Sequence, residues 1–332
     1  VSFDDGDHWQ SLQMNLPVTS IRDIDVHGDD VVIATHGRAF WILDNVTPLR
    51  QSTDVTGDAY LFVPATAYRE RPAGFTGSPW PKDEALAPNP PMGAYIDYVI
   101  RSASQPVTIE ILDANDQLVR RYSSSDKVPV ADPAKLKVAP EWFVPPSSIS
   151  TSPGMHRFIW PLRYPAPAAL DEAHKGAFAD GVWAPPGNYK VVLTVNGTRY
   201  TQPLNVVADP RVSVSASAYA EQFALARQIE STRAPVHAAL TEAGELVKTV
   251  TDEPMKNRIT EMTDVVPEEQ WYLAPRTTTS LRFLDSELAK LADAVDGSDA
   301  APSADAREGY AKAKPLAEAA VKAWTEFRGT VK

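Results

Sequence analysis

Proline divides this chain in two. Residues 1–211 hold 23 of its 29 prolines, and residues 212–332 hold the other 6. Proline removes a backbone donor and crowds the preceding turn, so it is tolerated in loops and edge strands and is costly inside helices. The period of the apolar residues changes at the same place, from short alternating segments to the three-and-four spacing of helices. The pattern predicts a mixed β and α multidomain chain whose break falls near Asp209-Pro210-Arg211.

Four pieces follow from that reading. Residues 1–48 carry apolar runs at 21–26, 31–34 and 39–43 separated by polar turns, and the segment has the size of one four-stranded propeller blade. Residues 49–93 read as a proline-rich connector. Residues 94–210 read as an immunoglobulin-like β-sandwich, with its clearest hairpin at Asn196-Gly197, a pair that tolerates the positive φ angles of a type I′ turn. Residues 211–332 read as an α-helical bundle. There, Pro235 is expected to interrupt the first helix, and Gly297 stands where a helix over 281–295 should stop. Tyr310, Ala313, Ala317, Ala320, Trp324 and Phe327 share one face of the last helix.

Charge and composition exclude several classes of partner. A formal charge of −11 from 32 basic and 43 acidic residues argues against a phosphate backbone, and no apolar run is long enough for a membrane span. With no cysteine there is no disulfide, thiolate metal site or cysteine nucleophile. No phosphate-binding loop, dinucleotide fingerprint, nucleophile elbow or zinc-protease helix occurs, so the pattern calls for no cofactor. The six histidines are scattered, and His156 in an apolar strand reads as a satisfied structural residue. The opening at Val1, in mid-pattern and without Met, reads as a portion of a longer protein.

The most specific motif is Ser2-Phe3-Asp4-Asp5-Gly6-Asp7-His8-Trp9, which fits Ser-x-Asp-x-Gly-x-x-Trp, the Asp-box turn. In such a turn Asp4 bonds backbone N–H groups, Gly6 takes an angle other residues avoid, and Trp9 packs into the blade. The alternating carboxylates of Asp4, Asp5 and Asp7 also suit a calcium loop, although the turn reading is the stronger. Together with 34–45 (Ala-Thr-His-Gly-Arg-Ala-Phe-Trp-Ile-Leu-Asp-Asn), the motif resembles the closing blade of large bacterial BNR-repeat, Asp-box propeller proteins. Many of these are labelled glycosyl hydrolases, and they are related to sortilin-like propellers. The resemblance continues through Thr47-Pro48-Leu49-Arg50, 154–160, Ala184-Pro185-Pro186-Gly187-Asn188-Tyr189 and Asp209-Pro210-Arg211. Pro161 departs from it, standing where an acidic residue is expected.

That resemblance implies an exported protein, extracellular or periplasmic, in which this chain is the C-terminal scaffold and binding region. It implies upstream blades that cover the apolar sheet, in the same protein or a companion chain, and a carbohydrate or protein ligand. Two alternatives stay open: part of a glycoside hydrolase whose site lies mainly on other blades, and a protein–protein assembly module. Candidate ligand contacts are His36 and Arg38 beside the blade's last turn, and Trp80 and Trp183, whose neighbouring prolines suggest exposed rings able to stack on a sugar. Trp142 shares that proline-rich setting, and Trp160, within a strand, reads as core. Asp23 with Asp25, on one strand face, and Asp29 with Asp30 are carboxylate pairs by proximity, the second more simply a turn. A converging carboxylate pair flanked by arginines in a cleft would favour the hydrolase.

Overall fold

The computed structural model describes residues 1–52, 55–71, 89–128, 132, 146–171, 180–266 and 277–330. In chain order its elements are β1 (Ile21–His27), β2 (Asp30–Thr35), β3 (Phe40–Leu43), α1 (Thr47–Arg50), β4 (Ala59–Leu61), β5 (Ala67–Arg69), β6 (Ala94–Ile100), β7 (Thr108–Leu112), β8 (Leu118–Ser123), β9 (Gly154–Trp160) and β10 (Arg163–Pro165). Then follow α2 (Ala168–Asp171), β11 (Asp180–Trp183), β12 (Gly187–Val195), β13 (Thr198–Ala208), α3 (Ala216–Thr249), α4 (Glu253–Thr263), α5 (Leu281–Asp296) and α6 (Ala304–Arg328). The protein is mixed α and β, with several sheets and C-terminal helices. It divides into two compact units: Val1–Lys127, Ser147–Pro161 and Gly187–Val207 form the first, and Val128–Pro146, Leu162–Pro186 and Ala208–Lys332 the second.

In the first unit β1, β2 and β3 make an antiparallel meander, with Val26 opposite Val31 and Val31 opposite Leu43. Gly28 at φ +61° allows the two-residue turn between β1 and β2. Two further sheets follow, in the strand orders β4-β6-β9 and β5-β13-β12-β7-β8. Their shared core is apolar and dry: Ile96, Tyr98 and Ile100 of β6, Ile109 and Ile111 of β7, Phe158 and Trp160 of β9, and Val191 and Leu193 of β12 are buried. Aromatic contacts bridge the two sheets, Tyr122 with Phe158 at 4.7 Å and Trp160 with Tyr189 at 5.3 Å between ring centres. At its start β6 comes so close to the end of β9 that a Cβ on Gly93 would lie 2.3 Å from the Trp160 carbonyl oxygen. Glycine alone fits there, at φ +130°.

Several expectations are met in detail. The Asn196-Gly197 hairpin pairs Val195 with Thr198, with φ of 49° and 81° at the two turn residues. β9 stops at Trp160, immediately before Pro161. The 49–93 segment needs correcting, because it is more than a connector: β4 joins β6 and β5 joins β13. Each of these strands has only three residues and a partner far along the chain, too short a stretch for alternation to register. The proposed 94–210 range is also interrupted, since residues 162–186 belong with the helices.

In the second unit each long helix starts on a side-chain cap. Ser215, Asp252, Ser280 and Ser303 each accept the N–H three residues on. Leu281, Leu284, Leu288 and Val295 of α5 are buried against Ile229, Val236, Ala239 and Ala243 of α3 and against Tyr310, Ala317 and Trp324 of α6. Pro235 does not interrupt α3, and Pro315 lies inside α6 in the same way. The apolar stripe runs on through both prolines, and its burial outweighs about 3 kcal/mol of proline penalty. α5 ends at Gly297 as expected, but with φ −81° rather than a left-handed angle. What glycine supplies there is room, for a Cβ would lie 2.4 Å from the Asp293 carbonyl oxygen.

Candidate functional site

The Asp-box turn closes on itself. Asp4 Oδ1 accepts the His8 N–H at 2.9 Å and the Ser2 hydroxyl at 2.8 Å, while Oδ2 lies 2.6 Å from His8 Nδ1. The Gly6 N–H donates to Ser2 Oγ at 2.8 Å, and Val1 and Gln10 exchange two main-chain bonds across the base. These bonds hold the Asp4 carboxyl below its ordinary range, the His8 N–H first and the His8 ring next. Trp9 departs from expectation: its ring is 74% exposed. Its indole N–H caps the Gly6 carbonyl at 3.0 Å, so the ring folds back on the turn instead of into the sheet. Both Asp4 oxygens are engaged by the turn. Among the described residues, no group of three His, Asp or Glu side chains, Asp5 and Asp7 included, is placed to hold a metal ion.

His36 and Arg38 sit on the exposed turn between β2 and β3, where Gly37 and Ala39 take φ of +74° and +63°. Their main chains secure the turn, His36 N–H to Ser20 O at 2.9 Å and Trp41 Nε1 to Arg38 O at 2.8 Å. No side-chain partner for either is found among the described residues. Trp80 and Trp142 lie outside the described residues. Trp183 is a correction, because it is only 7% exposed and so offers no stacking face. The Arg163 guanidinium lies 4.0 Å from its ring centre, and its N–H donates to Asp296 at 3.3 Å. His156 is satisfied, its Nε2 2.7 Å from the Ser152 carbonyl oxygen.

The carboxylates sort by backbone register. Asp23 and Asp25 each accept the N–H of the next residue on their own strand, at 3.0 and 2.9 Å, and face no cleft. Asp29 stands in the β1–β2 turn, paired with Arg50. Asp30 meets a residue missed at first: the register Val31–Leu43, carried one step further, sets it across from Asp44. Both line a cavity of about 610 Å³ walled also by His27, Tyr68, Glu70 and Tyr95. Asp30 Oδ1 accepts the Asn45 N–H at 2.8 Å. Burial first, and the Asp30 charge second, push the Asp44 carboxyl up, against the pull of Arg157.

Arg157 anchors the floor of this cleft. It grips Asp97 with two bonds, Nε to Oδ1 at 2.8 Å and Nη2 to Oδ2 at 3.1 Å. It also donates to the carbonyls of Asp44 and Asn45, both at 3.3 Å, and lies 4.5 Å from the Tyr95 ring centre. Asp97 is 3% exposed, and its burial raises the carboxyl in spite of the guanidinium. One arginine therefore ties the end of β3 to β6 and β9. The arrangement offers a carboxylate pair with one acid shifted upward, two arginines beside it, and aromatic walls.

No protein-family model matches this sequence, and no curated protein matches it. No helix among the described residues is long and apolar enough to cross a membrane.

Proposed function

We propose that this chain is the C-terminal scaffold and binding region of an exported Asp-box propeller protein, with β1–β3 as a blade, an immunoglobulin-like sandwich behind it and a helical bundle after that. One observation carries the reading: the three-stranded sheet is apolar on both faces. Ile24, Val26, Ile33, Trp41 and Leu43 share one face, and Val32, Ala34, Phe40 and Ile42 the other. A sheet built to face water on one side alternates apolar with polar residues, whereas one filled on both sides is made to lie between two layers. Propeller blades are stacked in that way, so the occupants are flanking blades. The Asp-box turn beside the sheet supports the same family. The test is hydrogen exchange across β1–β3, in this chain alone and in the natural polypeptide purified from its source and sized by intact mass. The blade reading expects strong protection of both faces in the natural form only. Equal, fast exchange in both sinks it.

A second reading has one observation in its favour, the Asp30–Asp44 pair with Arg50 and Arg157 at the cleft. Glycoside hydrolysis needs a protonated and an ionised carboxyl roughly 5–9.5 Å apart, and unequal environments supply that difference. Asp44 is the acid in this reading and Asp30 its ionised partner. A screen of aryl glycosides against the natural protein and Asp44→Asn decides it. Turnover that survives the substitution, or none at all, removes the hydrolase.

A further inference from the structure

The two edges of the β1–β3 sheet are not alike. His27 and Asp30 flank the two-residue turn and pair, so the alternation of an antiparallel ladder turns the N–H groups of Ile24 and Val26 outward. These are the donors that Asp23 and Asp25 take with their own carboxylates. The β1 edge is thus closed by its own side chains and carries charge, a standard defence against strand addition. At the other edge β3 bonds to β2 through Trp41 and Leu43, opposite Ile33 and Val31. The N–H and C=O of Phe40 and Ile42 therefore point outward, with side chains 76% and 60% exposed. That edge is apolar and unguarded.

We infer that the β3 edge pairs with β3 of a second copy of this chain, antiparallel, about a two-fold axis at Trp41. The register is self-complementary. With Trp41 on the axis, Phe40 of one copy faces Ile42 of the other, and their outward N–H and C=O groups close four main-chain bonds. The same register brings Arg38 to the end of the pair where Asp44 of the second copy stands, and the reverse at the far end. Both charges are unspent: among the described residues neither side chain has a hydrogen-bond or ion-pair partner. Aromatic against β-branched cross-strand pairs and opposite charges both favour this alignment over its one-residue slips. A two-fold contact of this kind is closed, so it ends at a dimer. The short edge makes it weak, with a dissociation constant on the order of micromolar. The inference does not depend on the blade reading, because it concerns the edge of the sheet and not its faces.

Sedimentation equilibrium of the chain over a dilution series tests it. The expected result is a reversible monomer–dimer equilibrium. Arg38→Asp or Asp44→Arg alone weakens it about tenfold, since each reversal acts at both ends of the contact. The double reversal, which restores opposite charges, returns it to within about threefold of the parent. Ile42→Pro removes an outward donor while leaving the β2 ladder intact, and should abolish the dimer with an unchanged circular dichroism spectrum. A chain that stays monomeric at every concentration overturns the inference. So does open-ended association, or charge reversals whose effects merely add.

Discussion

Removing Arg157 isolates a charge that the fold has already buried. Asp97 is 3% exposed and its carboxylate has Arg157 as its ionic partner, through two short bonds. In Arg157→Ala the carboxylate stays in the dry core between β6 and β9 with nothing to offset its desolvation. Breaking one side of a buried pair costs about 3–5 kcal/mol, and losing the donors to the Asp44 and Asn45 carbonyls, long at 3.3 Å, adds about 1 kcal/mol. For a unit of this size the melting temperature should fall by roughly 10 °C. The pH dependence has a definite sign. The Asp97 carboxyl is raised in the folded state, so between its unfolded and folded pKa the native protein holds the extra proton, and stability falls as pH rises through that window. Without Arg157 the carboxyl climbs further, so the deficit should be larger at neutral pH and shrink in mild acid. Replacing both partners by apolar residues, Arg157→Met with Asp97→Leu, should recover most of the loss. Denaturant titration at pH 7 and pH 5, with hydrogen exchange localising the change to β6 and β9, checks each point. A single mutant within about 1 kcal/mol of the parent would refute the reasoning, as would a double mutant no better than the single.

Gly93→Ala should destabilise the first unit by about 3 kcal/mol, because its Cβ meets the Trp160 carbonyl oxygen at a left-sided φ; denaturant midpoints give the value. Arg211 holds the Asp209 carboxyl down to about 2 by direct side-chain bonds. A depressed carboxyl stabilises above its unfolded pKa and loses that contribution as pH falls toward 2. Arg211→Ala should therefore return the Asp209 titration, followed by carbon-detected NMR, to the usual carboxylate range and flatten that part of the acid-unfolding curve. Leu288→Ala opens a cavity between α3 and α5 and should cost about 2–5 kcal/mol, with hydrogen exchange in β6 and β12 unchanged.

The helices were the most legible part of the chain, because Leu281, Leu284 and Leu288 repeat at a spacing only a helix can bury on one side, and serines stand at three of the four caps. The hairpin at Asn196-Gly197 was equally plain, since its chemistry is local. The three-residue strands β4 and β5 were not, because nothing within three residues distinguishes a strand from an extended loop. Pro235 misled for the opposite reason: its local penalty is real, and the packing that overrides it lies on other helices. At the site, Asp30 could be noticed but its partner could not. Asp44 becomes a neighbour only once the β2–β3 register is known, and Arg157 reaches the same place from over a hundred residues away. Trp183 looked exposed from its prolines, whereas the residues that cover it, Arg163 and Asp296, are separated in sequence.

Residues 162–186 place an order on the making of this protein. They carry Tyr164, Val182 and Trp183, whose shelter comes with α3 and α5, yet they leave the ribosome before β12 and β13, which the first unit needs to complete its five-stranded sheet. Neither unit can finish in the order in which it is synthesised. The nascent chain must carry an apolar loop past a sheet still two strands short, and hold it until more than a hundred further residues have emerged. An expression boundary drawn at residue 210, where the composition changes, would strand that loop permanently. The seam visible in the proline count is therefore a poor place to cut.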